Sequence, residues 1–289
     1  MFFPARMRKV VDCSALESPT LLAFLDESRR NCAVLTDVAN HEVFAIGTRA
    51  GELLNPFATH AGQAILLHPT WQIWKLRPRR NGFIPRFIDQ KQTRLFSQYC
   101  RMLASGHPRA LANAERKARE SQDFGMKLLG DAEPLLRQMQ RQIASYDSRD
   151  LKALRSGHSL SPQFCAKITR DVAENTARDL REAQGTNASS SAQEIKASLI
   201  FRLNVCSYAL TVRRAADGGV EKLGTETYRN DLNDCIYAAY ATLFDGLVSC
   251  DDGLVKTYNL SLILLRDAFD CRNITAEEAT LAVPKRKAG

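Results

Sequence analysis

Four acidic positions, two near each end of the chain, constrain its fold more than any other feature. Asp12 closes an apolar, β-branched run in RKVVDCSAL, and Glu42 follows another in NCAVLTDVANHEVF. Asp234 opens an apolar helix in NDLNDCIYAAYA, and Asp251 ends a third short run in GLVSCDD. Open α/β sheets place their sites beyond the carboxyl ends of the strands, so acids in these settings can converge on one spot. Four converging carboxylates do not all stay ionised without a counter-charge, and a hard divalent cation is the usual one. The pattern therefore points to metal-dependent phosphodiester chemistry.

Each acid also has a plainer reading. Asp12 can be a turn former or helix cap. Ser14, two residues on, either hydrogen-bonds a metal-bound water or caps the next helix. Glu42 stands about two turns into its helix, flanked by Val38, Val43, Phe44 and Ile46, and can lie on a solvated edge. Asp234 heads a helix whose Ile236, Ala238, Ala239 and Ala241 look buried, and a buried helix rarely carries an unpartnered carboxylate. Asp252 contends with Asp251 for the strand-ending role. Asp231, three residues before Asp234, shares its helical face. It is either an accessory ligand or part of an N-terminal cap, and helix dipoles favour the cap.

The chain's 289 residues allow one large domain or two ordinary ones. Forty Lys and Arg against 32 Asp and Glu give +8, a balance that favours polyanionic partners. The excess is local: between Trp71 and Arg119 twelve basic residues face two acids, Asp89 and Glu115, so this stretch alone carries +10. Within it Trp71 and Trp74 sit beside Lys75, Arg77, Arg79 and Arg80, the mixture that stacks bases and grips phosphates. The plainer alternative makes the tryptophans core anchors and the charges a solvated face. Eight cysteines are spread singly with no CxxC, and the five histidines show no metal-finger spacing, which argues against a zinc site. Thiols in apolar runs behave as small hydrophobes and suggest a reducing, cytoplasmic location. MFFPARMRK lacks the apolar core of a signal peptide, and no apolar run approaches a membrane span.

Periodicity predicts strands at 8–13, 32–36 and 246–250, and helices at 19–29, 194–213, 231–244 and 252–266. Thr36 or Asp37 is the expected N-cap of the Glu42 helix. The run QAILLHP (63–69) reads equally as strand or buried helical turn. From about 90 to 215 the spacing is helical, broken by a small, polar loop at 185–192. PKRKAG (284–289) reads as a disordered basic tail. No GxSxG, P-loop or HExxH offers a different chemistry.

The order strand-Asp-x-Ser, strand-x-Glu, Asp-opened Ala-rich helix, strand-Asp resembles the PIN-like nuclease domain. The resemblance lies in VVDCSAL (10–16), VLTDVANHEVF (34–44) and NDCIYAAYATLFDGLVSCDDGL (233–254), with the last two acids 17 residues apart. It implies an α/β PIN-like core, with a central mostly parallel sheet flanked by helices, formed by residues 1–48 and 218–283. Residues 49–217 then form a large, mainly helical insertion, because Glu42 and Asp234 stand 192 positions apart. It further implies catalytic and metal-binding roles for Asp12, Glu42, Asp234 and Asp251, with Asp231 and Asp252 as accessory ligands. Mg²⁺ or Mn²⁺ would be the cofactor, and RNA rather than single-stranded DNA the substrate. Ser14, Trp71, Trp74, Lys75, Arg77, Arg79 and Arg80 are the expected nucleic-acid contacts, and the insertion offers a surface for a protein partner or inhibitor. Two rivals remain open: a non-catalytic nucleic-acid-binding or scaffold protein on a degenerate core of this kind, and a helical nucleic-acid-binding protein whose acids are structural.

Overall fold

The β-branched run at Val10 and Val11 forms the strand on which the rest of the sheet is built. The computed structural model describes residues 7–77, 84–156, 161–185 and 190–271. Strand β1 (Arg8–Val11) is flanked by β2 (Cys32–Leu35) on one side and β4 (Leu247–Val248) on the other, and β3 (Ala64–Leu66) pairs with β2. All three pairings are parallel, giving the order β3-β2-β1-β4. Alternate residues feed opposite faces: Val10, Val34 and Ile65 enter one apolar cluster, and Val11, Leu35 and Leu66 the other. Burial on both faces is what a parallel sheet requires, and it explains why these runs are continuously apolar.

Thirteen α-helices are described around this sheet. In chain order they are α1 (Pro19–Glu27), α2 (Asp37–Ala45), α3 (Ala50–Leu53), α4 (Asn55–Thr59), α5 (Thr70–Trp74), α6 (Gln90–Ala104), α7 (Pro108–Ala144), α8 (Ser148–Ser156), α9 (Pro162–Gln184), α10 (Ala192–Lys196), α11 (Leu199–Asp217), α12 (Thr225–Ala241) and α13 (Asp252–Asp267). Helices α1, α3, α4 and α6 cover one face, while α7, α9, α11, α12 and α13 build the larger core on the other. Each fully buried aliphatic or aromatic side chain contributes about 1.5–3 kcal/mol. None of the described helices is long and apolar enough to cross a membrane.

The fold is α/β with a small parallel sheet and a predominance of helix, and two expected boundaries change. The segment 49–217 does not stand wholly outside the sheet, because it supplies β3, whose Ile65 pairs with Val34. The short run QAILLHP is thus a strand for three of its residues. The helix expected at 231–244 starts at Thr225 instead, so Asp231 and Asp234 lie inside it rather than at its opening. Its opening residues, TETYRN, are polar apart from the buried Tyr228, and its N-cap is Gly224, which makes no side-chain cap. That removes the usual signal for a helix start. The tail at 284–289, and 186–189 of the expected loop, lie outside the described residues.

Candidate functional site

The chain leaves β1 towards β2 and returns to its other side at β4, so the sheet's topological switch point lies between β1 and β4. Ligand crevices of open α/β sheets form there, at the carboxyl ends of the strands. Asp12 follows β1, and Ser249 and Asp251 follow β4.

Asp12 is 5% exposed and caps a 3₁₀ turn at Cys13–Ala15. Its Oδ1 accepts from Ala15 N at 3.1 Å, and its Oδ2 accepts from Ser14 Oγ at 2.8 Å and Ser249 Oγ at 2.9 Å. Ser14 is exposed and accepts from Cys250 N at 3.0 Å, which ties the ends of β1 and β4 together. It does not cap α1, whose N-cap is Ser18. Thr36, rather than Asp37, caps α2. Glu42, on the second turn of α2, is held from α12: Asn233 Nδ2 donates to Oε1 at 2.9 Å, and Tyr237 OH to Oε2 at 2.7 Å. Asn233 and Tyr237 are four residues apart on one helical face, a spacing that marks them in the sequence only once Glu42 is known to lie opposite. Asp251 is exposed and caps α13, with Oδ1 accepting from Leu254 N at 2.9 Å. Asp252, also exposed, occupies the first turn of that helix, where the dipole favours an acid.

Asp234 differs from the other three. It is half-buried and accepts no hydrogen bond among the described residues. Desolvation first, then the charges of Asp251 and Asp231, push its carboxyl up to about 8, with Glu42 adding to the rise and Arg213 opposing it. Burial also raises Asp12, beside Asp251, and Glu42, beside Asp12, although the hydrogen bonds to each work the other way. Each acid raises another through its charge, Asp251 acting on Asp12, Asp12 on Glu42, and Asp251 and Glu42 on Asp234, which links the four as an electrostatic ring. The thiol of Cys13 is pushed up to about 12 by burial and by Glu42 and Asp12, so it stays protonated beside the ring.

Asp231 lies on the second turn of α12, whose N-cap is Gly224, so it is not a cap. It is 4% exposed and gripped by two arginines at the end of α11. Arg213 Nη2 reaches Oδ1 at 2.9 Å, and Arg214 Nε reaches Oδ2 at 2.9 Å while its Nη2 lies 2.6 Å from the same oxygen. Both oxygens are thus engaged by guanidinium groups, which offset the charge of the carboxylate. Arg213 and Arg214 were not legible as site residues, because the partner carboxylate lies on a different helix.

The donor chemistry of the ring is all oxygen, which suits Mg²⁺ or Mn²⁺. No group of three His, Cys, Asp or Glu side chains among the described residues stands in ion-holding geometry. Mg²⁺ usually keeps several waters and takes only one or two carboxylates directly, so the donor type, though not a three-ligand geometry, is what such an ion requires.

The expected nucleic-acid contacts divide. Trp71 is 60% exposed on α5, with Lys75 Nζ 5.2 Å from its ring centroid, while Trp74 is half-buried in a cavity among α7, α9, α11 and α12. Arg77 is exposed, and Arg79 and Arg80 lie outside the described residues. Lys117 is withdrawn from the basic surface, its ammonium 4.7 Å from the Phe44 ring centroid. Comparison with protein-family models, curated proteins and solved structures finds no match to this chain.

Proposed function

We propose that this chain is a metal-dependent nuclease on a PIN-like core, an endoribonuclease that hydrolyses RNA in preference to single-stranded DNA. The observation that carries the reading is Asp234, an unpartnered carboxylate raised to about 8 inside a ring of three other acids. Arg213 and Arg229 offset the acids only in part, since Asp234 and Glu42 both stay raised, and a divalent cation supplies further counter-charge. Of Asp12, Glu42, Asp234 and Asp251, one or two would hold the ion directly and the others through its waters, with Asp252 at the rim. A bound Mg²⁺ or Mn²⁺ would activate water for in-line attack and offset the charge on the phosphate. The chain's own groups do the positioning. Ser14 and Ser249 orient Asp12, Asn233 and Tyr237 orient Glu42, and the Leu254 N–H orients Asp251. Trp71, Lys75 and Arg77 would receive the nucleic acid.

The alternative, a nucleic-acid-binding or scaffold protein on a degenerate core, has its own support. Three of the four acids are already satisfied by protein donors, as structural acids are. Cleavage assays on mixed RNA and single-stranded DNA with Mn²⁺, together with calorimetric Mn²⁺ titration, separate the two. The nuclease reading expects Mn²⁺ binding that Asp234→Asn weakens, and cleavage that Asp12→Asn and Asp251→Asn abolish without loss of fold. Variants that cleave at the wild-type rate, or a protein that binds no Mn²⁺, would leave the scaffold reading standing.

A further inference from the structure

A cavity of about 370 Å³ lies between α2, the middle of α7 and the first turns of α12, and it shares Glu42 and Cys13 with the acid ring. One wall carries His41 and Phe124, whose rings stack with centroids 4.1 Å apart and planes 8° apart. The opposite wall carries Arg229 and Asn230 from α12. Arg229 is the one arginine or lysine among the described residues lining the cavity.

Gly125 lies on the same wall as Phe124, inside the 37-residue helix α7. Glycine is disfavoured against alanine in a helix interior, so the helix gains nothing from it. Packing does not demand it either, because a Cβ at Gly125 would meet nothing within 4 Å. What the missing side chain does is leave the cavity open. An aromatic wall, two side-chain amides and one cation suit a planar polar heterocycle attached to a phosphate. We propose that this cavity is a nucleobase subsite: the base beside the scissile phosphate lodges against His41 and Phe124 across Gly125, with its backbone phosphate towards Arg229. The inference rests on the nuclease reading, one of whose carboxylates, Glu42, lines the same cavity.

The test is binding of a labelled eight-nucleotide single-stranded RNA, and of the same RNA with one abasic position, by anisotropy in EDTA. Wild type should hold the intact RNA about fivefold tighter or more, the smallest effect expected from stacking one base. Gly125→Leu fills the cavity with a good helix former, so it should bring the intact RNA down to the abasic level while Tm stays level or rises. Gly125→Ala adds a single methyl group and should give a smaller loss in the same direction, which keeps the test decisive if the leucine variant misfolds. Equal binding of both RNAs by wild type, or an unchanged ratio in both variants, would overturn the subsite. If RNA is still cleaved with Mn²⁺ in that case, the nuclease reading survives alone. A protein that neither binds nor cleaves RNA overturns both.

Discussion

Arg213 Nη2 lies 2.9 Å from Asp231 Oδ1, and this contact separates two acids that stand three residues apart on α12. Asp231 is neutralised by α11, whereas Asp234 is left facing Asp251 and Glu42. The side chains of Arg213 and Asp231 are only 10% and 5% exposed, so the pair is buried. Removing one partner of a buried pair leaves an uncompensated charge, at a cost of about 3–5 kcal/mol. Asp231→Asn should therefore lower the unfolding free energy by that amount, read from the shift in denaturation midpoint, while Asp234→Asn should not destabilise the metal-free protein at neutral pH. If Asp231→Asn is as stable as wild type, the arginines must be satisfied elsewhere and the structural role assigned to Asp231 is wrong.

The acid ring makes stability depend on pH in a definite direction. The folded-state pKa of Asp234 rises from 3.8 to about 8, and Asp12 and Glu42 shift the same way. The folded state then binds more protons than the unfolded state between those values. Stability from this source is complete below the unfolded value and is lost as pH rises through the folded one. In EDTA, Tm should fall between about pH 5 and about pH 8.5, and Asp234→Asn should flatten the fall. Added Mn²⁺ should raise Tm more at the higher pH, because metal binding needs deprotonated ligands. A Tm that rises with pH across this window would contradict the shared ring.

The sequence displays Asp12, Glu42 and Asp251 because each follows an apolar run whose strand or helix is local. Val10–Val11 and Cys32–Leu35 are strands close to where their β-branched runs place them. The start of α12 is obscured because Gly224 caps it without a side chain, and so Asp234 looks like an opening acid when it lies mid-helix. Asp231 shows the harder limit. Its partners stand 17 and 18 residues away on α11, and nothing in a single sequence says that two helices bring them together. The strand β3 was ambiguous for a simpler reason: only three residues of QAILLHP are extended, too few for a period of two to stand out.

Gly253 marks a close approach between α13 and the same arginine. A Cβ there would stand 2.6 Å from Arg213 Nη1 and 3.0 Å from Asp251 Oδ1. Arg213 is also held by Asp231, so its guanidinium is not free to swing away without breaking that pair. Gly253→Ala should cost about 1–3 kcal/mol, the usual range for overpacking. It should also disturb Asp251, and with it any Mn²⁺ affinity measured by calorimetry. Unchanged stability would show that the arginine relaxes at no cost.

Trp71 and Trp74 stand three residues apart on α5 yet should respond differently to truncation. Trp71 is 60% exposed and paired with Lys75, a platform on which a base can stack. Trp71→Ala should weaken single-stranded RNA binding by about 1–3 kcal/mol, and Lys75→Ala should reduce the log–log salt slope by about 0.7 if it holds one phosphate. Both should raise KM more than they lower kcat, because α5 contributes none of the ring acids. Trp74 lines the helical cavity instead, so Trp74→Ala should lower Tm while the folded fraction keeps its RNA affinity. The opposite pattern, with Trp74→Ala weakening binding and Trp71→Ala silent, would move the nucleic-acid path off this surface. Unchanged affinity and salt slope in every variant would leave the basic stretch as a solvated face.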